Sequence, residues 1–163
     1  MYKNILLPTD GLAKCAFGTC HGVLLAKDLK AKVTAVCITD KLSPQEILKI
    51  YEPELIWSLS EGQKAKDAMA AADASKKELA DKALAVAEKM CIDNGVACDK
   101  VHLPGESPVD GILKVAADKQ CDLIFISTHG NPGIMGALFG TVAKKILAHS
   151  KIPVLVHHCG GPK

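Results

Sequence analysis

The residues of this chain that could do chemistry collect in short turns behind apolar runs. Pro8-Thr9-Asp10-Gly11 follows Ile5-Leu6-Leu7, Thr39-Asp40 closes a second run, Pro104-Gly105-Glu106 a third, and Ser127-Thr128-His129-Gly130 a fourth. The fourth turn is the richest. It continues through Asn131-Pro132-Gly133-Ile134-Met135-Gly136-Ala137-Leu138-Phe139 to Gly140-Thr141, so that four glycines lead into a helix start. Glycines let main-chain amides come close to an anion, and the first turn of a helix adds further N–H donors at its positive end. Thr141 can contribute a hydroxyl. A phosphate-sized anion suits this arrangement, and so does a plain series of turns and caps; the loop alone does not separate the two.

Several ways of holding a phosphate are excluded outright. All twenty basic residues are lysines, so the chain has no arginine for a bidentate clamp or an arginine finger. No G-x-x-x-x-G-K-[ST] element is present, and Gly11 does not open a G-x-G-x-x-G run after the first apolar segment. Any phosphate must therefore be met by backbone amides, hydroxyls, lysine point charges or a metal ion. A net charge of +2 over 163 residues is too small for tracking a nucleic-acid backbone.

Positioning these turns requires strands that end where the turns begin. The chain alternates short apolar runs with segments of helical period, the pattern of parallel strands linked by crossover helices. Strands are expected at Asn4 to Pro8, Lys32 to Thr39, Val96 to Leu103, Cys121 to Ser127 and Ile152 to His157. Leu123-Ile124-Phe125-Ile126 and Val154-Leu155-Val156 are continuous rather than alternating, as strands covered on both faces should be. Helices are expected over residues 12 to 30, with Ala16, Cys20, Val23 and Leu24 inward, and from about Thr141 to His149. Ser107-Pro108 marks a third start, followed by the stripe Val109, Ile112, Leu113, Ala116 and Ala117. Ser75 with Glu78 reads as a capping box opening a fourth, whose apolar face would be Leu79, Ala83, Val86, Ala87 and Met90 and whose stop would be Gly95. Residues 40 to 74 are the least regular and read as an excursion of short helices within one domain spanning 1–163. In an open parallel sheet ligands bind beyond the carboxyl ends of the strands, where the strand order reverses; the turns described above lie at that edge.

Taken together, Ile5-Leu6-Leu7-Pro8-Thr9-Asp10, Gly105-x2-Pro108, Ser127-x2-Gly130-x9-Gly140-Thr141 and Ile152-Pro153-Val154-Leu155-Val156 resemble the universal stress protein family along essentially the whole chain. The resemblance implies an α/β fold with five parallel strands in the order 3-2-1-4-5, helices on both faces, and Asp10 beside the glycine loop. The ATP-binding branch of the family carries G-x2-G-x9-G-[ST]; Gly130, Gly140 and Thr141 match it, and Ser127 replaces its first glycine. Carried over position by position, ribose and phosphate contacts fall on Ser127, Gly130, Gly140, Thr141 and the amide of Val142. Asp10 would face the ribose or a Mg2+ ion, Pro8 and Thr9 would shape the same wall, and Ile38 would pack on the adenine. Asp10 also suits a helix N-cap, a compatible role. His129 reads as structural, because the usual parts for fast phosphoryl transfer are missing.

The expected function is thus binding of ATP or a related adenine nucleotide by a regulatory stress-response protein. The alternatives are a nucleotide-free family member working through protein contacts, which Ser127 favours, and a slow ATPase. The adenylating relatives' S-G-G-x-D-S loop is absent after the first strand. The last strand, Ile152 to His157, would form a sheet edge, and pairing of that edge into a homodimer is expected. Ile5-Leu6-Leu7 is far shorter than the roughly 7–15 apolar residues of a secretory core, and no segment approaches the roughly 20 of a membrane span, so a cytoplasmic chain is expected. Its seven cysteines then read mostly as small buried hydrophobes, Cys15 with Cys20 and His157-His158-Cys159 being the sets nearest to a zinc or redox pattern.

Overall fold

The computed structural model describes residues 1–10, 16–39, 62–128 and 140–158, with side chains described from residue 18 in the first helix and from residue 70 in the second. In chain order the elements are β1 (Asn4–Pro8), α1 (Ala16–Leu29), β2 (Lys32–Thr39), α2 (Gly62–Asp93), β3 (Cys98–Pro104), α3 (Pro108–Asp118), β4 (Leu123–Thr128), α4 (Thr141–His149) and β5 (Val154–His158). The strands form one parallel sheet in the order β3-β2-β1-β4-β5. Ile5, Leu6 and Leu7 are all but inaccessible because β1 lies at the centre and both its faces are covered.

Alternation along the strands divides the core in two. Ile5, Leu7, Val33, Ala35, Leu123 and Phe125 turn to one face, where α1 and α2 cover them with Val23, Ala26, Ala80, Ala83, Leu84 and Ala87. Leu6, Val36, Ile124 and Ile126 turn to the other, under Ile112, Val115 and Ala116 of α3 and Ala143 and Ile146 of α4. At the amino edge of the sheet a polar lock holds the start of β1. The Asp122 carboxylate accepts the N–H groups of Lys3 and Asn4 at 2.7 and 3.0 Å, and the buried Asn4 side chain donates to the Lys119 carbonyl and accepts the Thr34 hydroxyl. With every buried polar atom partnered, the lock costs little to bury and fixes the register of β1.

Several sequence expectations are corrected. Strand β3 starts at Cys98 rather than Val96, β4 at Leu123 rather than Cys121, and β5 at Val154 rather than Ile152. The helix expected from Ser75 begins at Gly62, so residues 62–74 belong to a 32-residue helix and not to an irregular excursion; residues 40–61, with Tyr51 and Trp57, lie outside the described residues. Ser75 is exposed in mid-helix, and Glu78 pairs with Lys82 one turn on instead of reaching back to a cap. The buried stripe of α2 is Ala80, Ala83, Leu84, Ala87 and Cys91, leaving Leu79 and Val86 in solvent at 63% and 50% exposure. Leu24 is likewise outward, because α1 sits on the sheet at Gly22, where an added Cβ would lie 2.5 Å from Leu7 and 3.1 Å from Phe125. In α3, Ala117 is exposed and Val115 takes the inward place. Gly95 does form the left-handed stop, with φ of 70°.

On β5, His157 stacks on Phe125 and meets His21 of α1, ring centroids 5.7 and 4.5 Å away. Burial first, then the charges of His21 and His158, hold the His157 imidazole below its usual 6.5. The unfolded chain therefore binds more protons between pH 6.5 and that depressed value, so the stability contributed by neutral His157 is complete above pH 6.5 and is lost as pH falls through the window. The melting temperature should fall between pH 6.5 and 5, and His157→Gln should flatten that slope in a pH series of thermal melts. Parallel slopes for the two proteins would refute the assignment.

Candidate functional site

A cleft of about 680 Å3 opens at the carboxyl ends of β1 and β4, within the usual range for small-molecule sites. It is lined by Pro8, Thr9, Asp10, Ile38, Ser127, Gly140, Thr141 and Val142, and by Val36, Pro108, Ile112, Ile126, Thr128 and Ala143. The first eight are the sequence-derived candidates, brought together from four separate segments of the chain. Gly130 and His129 lie outside the described residues. The remaining six were not singled out as site residues. The Ser107-Pro108 helix signal placed Pro108 at the right edge, while Val36, Ile112, Ile126 and Ala143 were legible only as core.

Each wall follows from local structure. The floor is apolar because β2 and β4 present Val36 and Ile126 to the same face as Ile112. Thr9 donates its N–H to the Val36 carbonyl at 2.9 Å, the last rung between β1 and β2. In a parallel strand alternate residues point their main-chain groups the same way, so the N–H and C=O of Ile38 project beyond that rung, over the mouth of the cleft. Thr39 and Cys37 point theirs toward β3, as the Gly105 N–H to Thr39 carbonyl bond of 2.7 Å shows.

The opposite wall is the start of α4. Gly140 is its N-cap residue and offers no side chain, so the N–H groups of Thr141, Val142 and Ala143 have no intrahelical acceptor. The buried Thr128 hydroxyl accepts the Gly140 N–H at 3.0 Å, tying the helix start to the end of β4. Helix α3 also begins at this edge, but Ser107 caps it, its hydroxyl accepting the Asp110 N–H at 3.2 Å. Asp10, just after β1, lines the same cleft. Burial, and then the Asp10 charge, push the Cys37 thiol upward, so a negative field reaches from the end of β1 into the sheet. Such a carboxylate suits a hydroxyl donor or a cation rather than a phosphate oxygen.

Among the described residues no group of three or more His, Cys, Asp or Glu side chains is built to hold a metal ion. Asp10 still fits Mg2+, which takes one or two carboxylates and completes its shell with water and ligand phosphates. Thr128→Val should remove the acceptor for Gly140 at constant shape and cost about 1 kcal/mol, read as a lower urea midpoint with unchanged m-value. An unchanged midpoint would show that the hydroxyl does not anchor the helix.

An open parallel sheet in this order, with its cleft over the switch point between β1 and β4, defines a doubly wound α/β protein. A sequence model of the universal stress protein family matches residues 1–158, and the chain belongs to that family. Universal stress protein MJ0531 of Methanocaldococcus jannaschii is 31% identical over 157 residues, covering 96% of this chain and 82% of its own. Among solved structures, a universal stress protein in complex with cAMP superposes with a TM-score of 0.62 at 20% identity over 98% of both chains. That from Archaeoglobus fulgidus in complex with dAMP gives 0.59 at 16% identity, covering 95% of this chain and 97% of its own.

Proposed function

We propose that this protein binds an adenine nucleotide in the cleft, ATP with Mg2+ foremost, and acts as a regulatory stress-response protein of the cytoplasm. The observation that carries the reading is that one cleft combines an apolar floor, the Asp10 carboxylate and a helix start without a side-chain cap. A purine fits the floor of Val36, Ile38, Ile112 and Ile126, with the main-chain groups of Ile38 reading its edge. The amides of Thr141 and Val142 and the Thr141 hydroxyl take phosphate oxygens, helped by Ser127, Gly130 and Gly140. Asp10 takes a ribose hydroxyl or Mg2+, with Pro8 and Thr9 beside it. The relatives solved with cAMP and dAMP support this ligand class. Without arginine the chain lacks the usual means of stabilising a transferring phosphoryl group, so the nucleotide serves as a bound effector rather than a rapidly consumed substrate.

Ligand at about 100 times its Kd stabilises the fold by about 2.7 kcal/mol, which raises Tm by about 5–10 °C in a chain of this size. That rise is expected with ATP and Mg2+, and Gly140→Val should abolish it. The variant should keep its ligand-free Tm, because φ at Gly140 is −57° and among the described residues an added Cβ meets only the Thr128 hydroxyl, at 3.6 Å. A rise with AMP or cAMP but not with ATP would reassign the ligand. No rise with any of them would favour the nucleotide-free reading, for which Ser127 in place of the family's first glycine is the supporting feature.

We also propose that two copies pair through β5, whose outer edge is unpaired among the described residues and whose Leu155 is 38% exposed. Light scattering should report about twice 17.2 kDa at high micromolar concentration, and Leu155→Lys should lower that mass. A monomer throughout would refute the pairing.

A further inference from the structure

The end of the sheet opposite the cleft holds a pair of thiols whose spacing in the sequence, Cys-x6-Cys, carries no motif. Cys91 lies in the last turn of α2 and is fully buried; Cys98 opens β3 and is partly exposed. The connection between them is tightly defined. The Cys91 carbonyl accepts the N–H groups of Asn94 and Val96 at 3.1 and 2.9 Å, and Gly95, at φ of 70°, donates to Ile92 at 3.0 Å. The chain therefore reverses at once and returns beneath the helix it has left.

Strand β3 then fixes where the second sulfur points. Cys98 is opposite Val33 in the ladder with β2. It shares a strand face with Lys100 and His102, while Val101 and Leu103 turn to the α3 side. That face meets α2, since Lys100 reaches Glu88 at 2.6 Å, and Cys98 packs on the cluster that contains Cys91. Each thiol shifts the ionisation of the other, and the Cys98 Sγ–H points to the Asp99 carbonyl at 3.8 Å.

We propose that Cys91 and Cys98 form an oxidation site, a thiol pair that a peroxide converts into a disulfide joining the end of α2 to the start of β3. The surroundings give the two sulfurs different tasks. Cys98 is partly exposed and Cys91 fully buried. The neighbouring Cys91 side chain, and then the Ala35 main chain, hold the Cys98 thiol below its usual pKa, with burial, Glu88 and Asp99 opposing. Lys100 is the cation on the same face. Beside Cys98 and buried, the Cys91 thiol is pushed up. Cys98 is thus the accessible nucleophile and Cys91 the resolving thiol.

In the first step the Cys98 thiolate attacks one peroxide oxygen, the O–O bond breaks, and the departing oxygen leaves protonated as water or an alcohol. Cys98 becomes a sulfenic acid and the peroxide is reduced by two electrons. The Cys91 sulfur then attacks that of Cys98, the S–O bond breaks, and hydroxide leaves with the Cys91 proton as water. Cys37 and Cys121, each buried and with its thiol pushed up by that burial, have no such access. Because the pair lies at the amino edge and the cleft at the carboxyl edge, oxidation leaves the ligand site open.

The test uses the full chain and hydrogen peroxide. Trypsin cuts after Lys89 and Lys100, so both cysteines fall in the peptide of residues 90–100. After peroxide this peptide should be lighter by two hydrogens and refuse iodoacetamide until reduced with dithiothreitol. In the reduced protein, iodoacetamide should label Cys98 at least about tenfold faster than Cys91. Cys91→Ala should leave a Cys98 sulfenic acid that dimedone traps. Recovery of the peptide with both thiols free while Cys20 is oxidised would overturn the proposal, as would a disulfide to any other cysteine. These two readouts use the unmodified chain and do not depend on how well a variant folds.

Discussion

Neighbouring parallel strands whose following helices leave on opposite faces cannot both have their ends covered, and the site of this protein depends on that constraint. Strands β1 and β4 lie side by side at the centre of the sheet; α1 covers one face and α4 the other. The gap above the two strand ends stays open, and whatever residues follow those strands become its walls. Pro8, Thr9 and Asp10 come from one, and Ser127 and Thr128 from the other.

The remainder of the molecule keeps that gap in place. Continuous apolar runs in β1 and β4 allow helices on both faces, and the lock of Asn4, Thr34, Lys119 and Asp122 pins the opposite edge of the sheet. Long α2 contributes a narrow stripe of small residues to the core and carries ion pairs such as Lys77–Asp81, Glu78–Lys82 and Lys89–Asp93 on its outer side. Such exposed pairs add only tenths of a kcal/mol each; packing of Ala80, Ala83, Leu84 and Ala87 on the sheet holds the helix. The same packing sets Cys91 over Cys98, so the two ends of one sheet offer different chemistry.

Where the sequence reading failed, a local signal competed with a contact made elsewhere. A Ser75–Glu78 capping box needs N–H groups that are unsatisfied, and within a continuous helix the i−4 carbonyls already hold them. The periodicity of α2 allowed more than one stripe, because alanines recur along it; the sheet selected Ala80 and Leu84 over Leu79 and Val86. Gly22 looked neutral in sequence, yet its missing Cβ lets α1 rest on Leu7 and Phe125 and turns Leu24 outward.

The amino-acid sequence by itself determined the number of strands and their succession along the chain, the helix starts at Pro108 and Thr141, and the polar residues at the strand ends. These are properties of short chain segments, set by apolar runs, hydroxyls and glycines acting within a few residues. Only the tertiary structure decided which core residues double as the cleft floor, that the Thr128 hydroxyl meets the Gly140 amide, and that Cys98 packs on the cluster that holds Cys91. Those contacts depend on how each helix is rotated on the sheet and which strands are neighbours, and no local pattern encodes a rotation that packing between distant segments must choose.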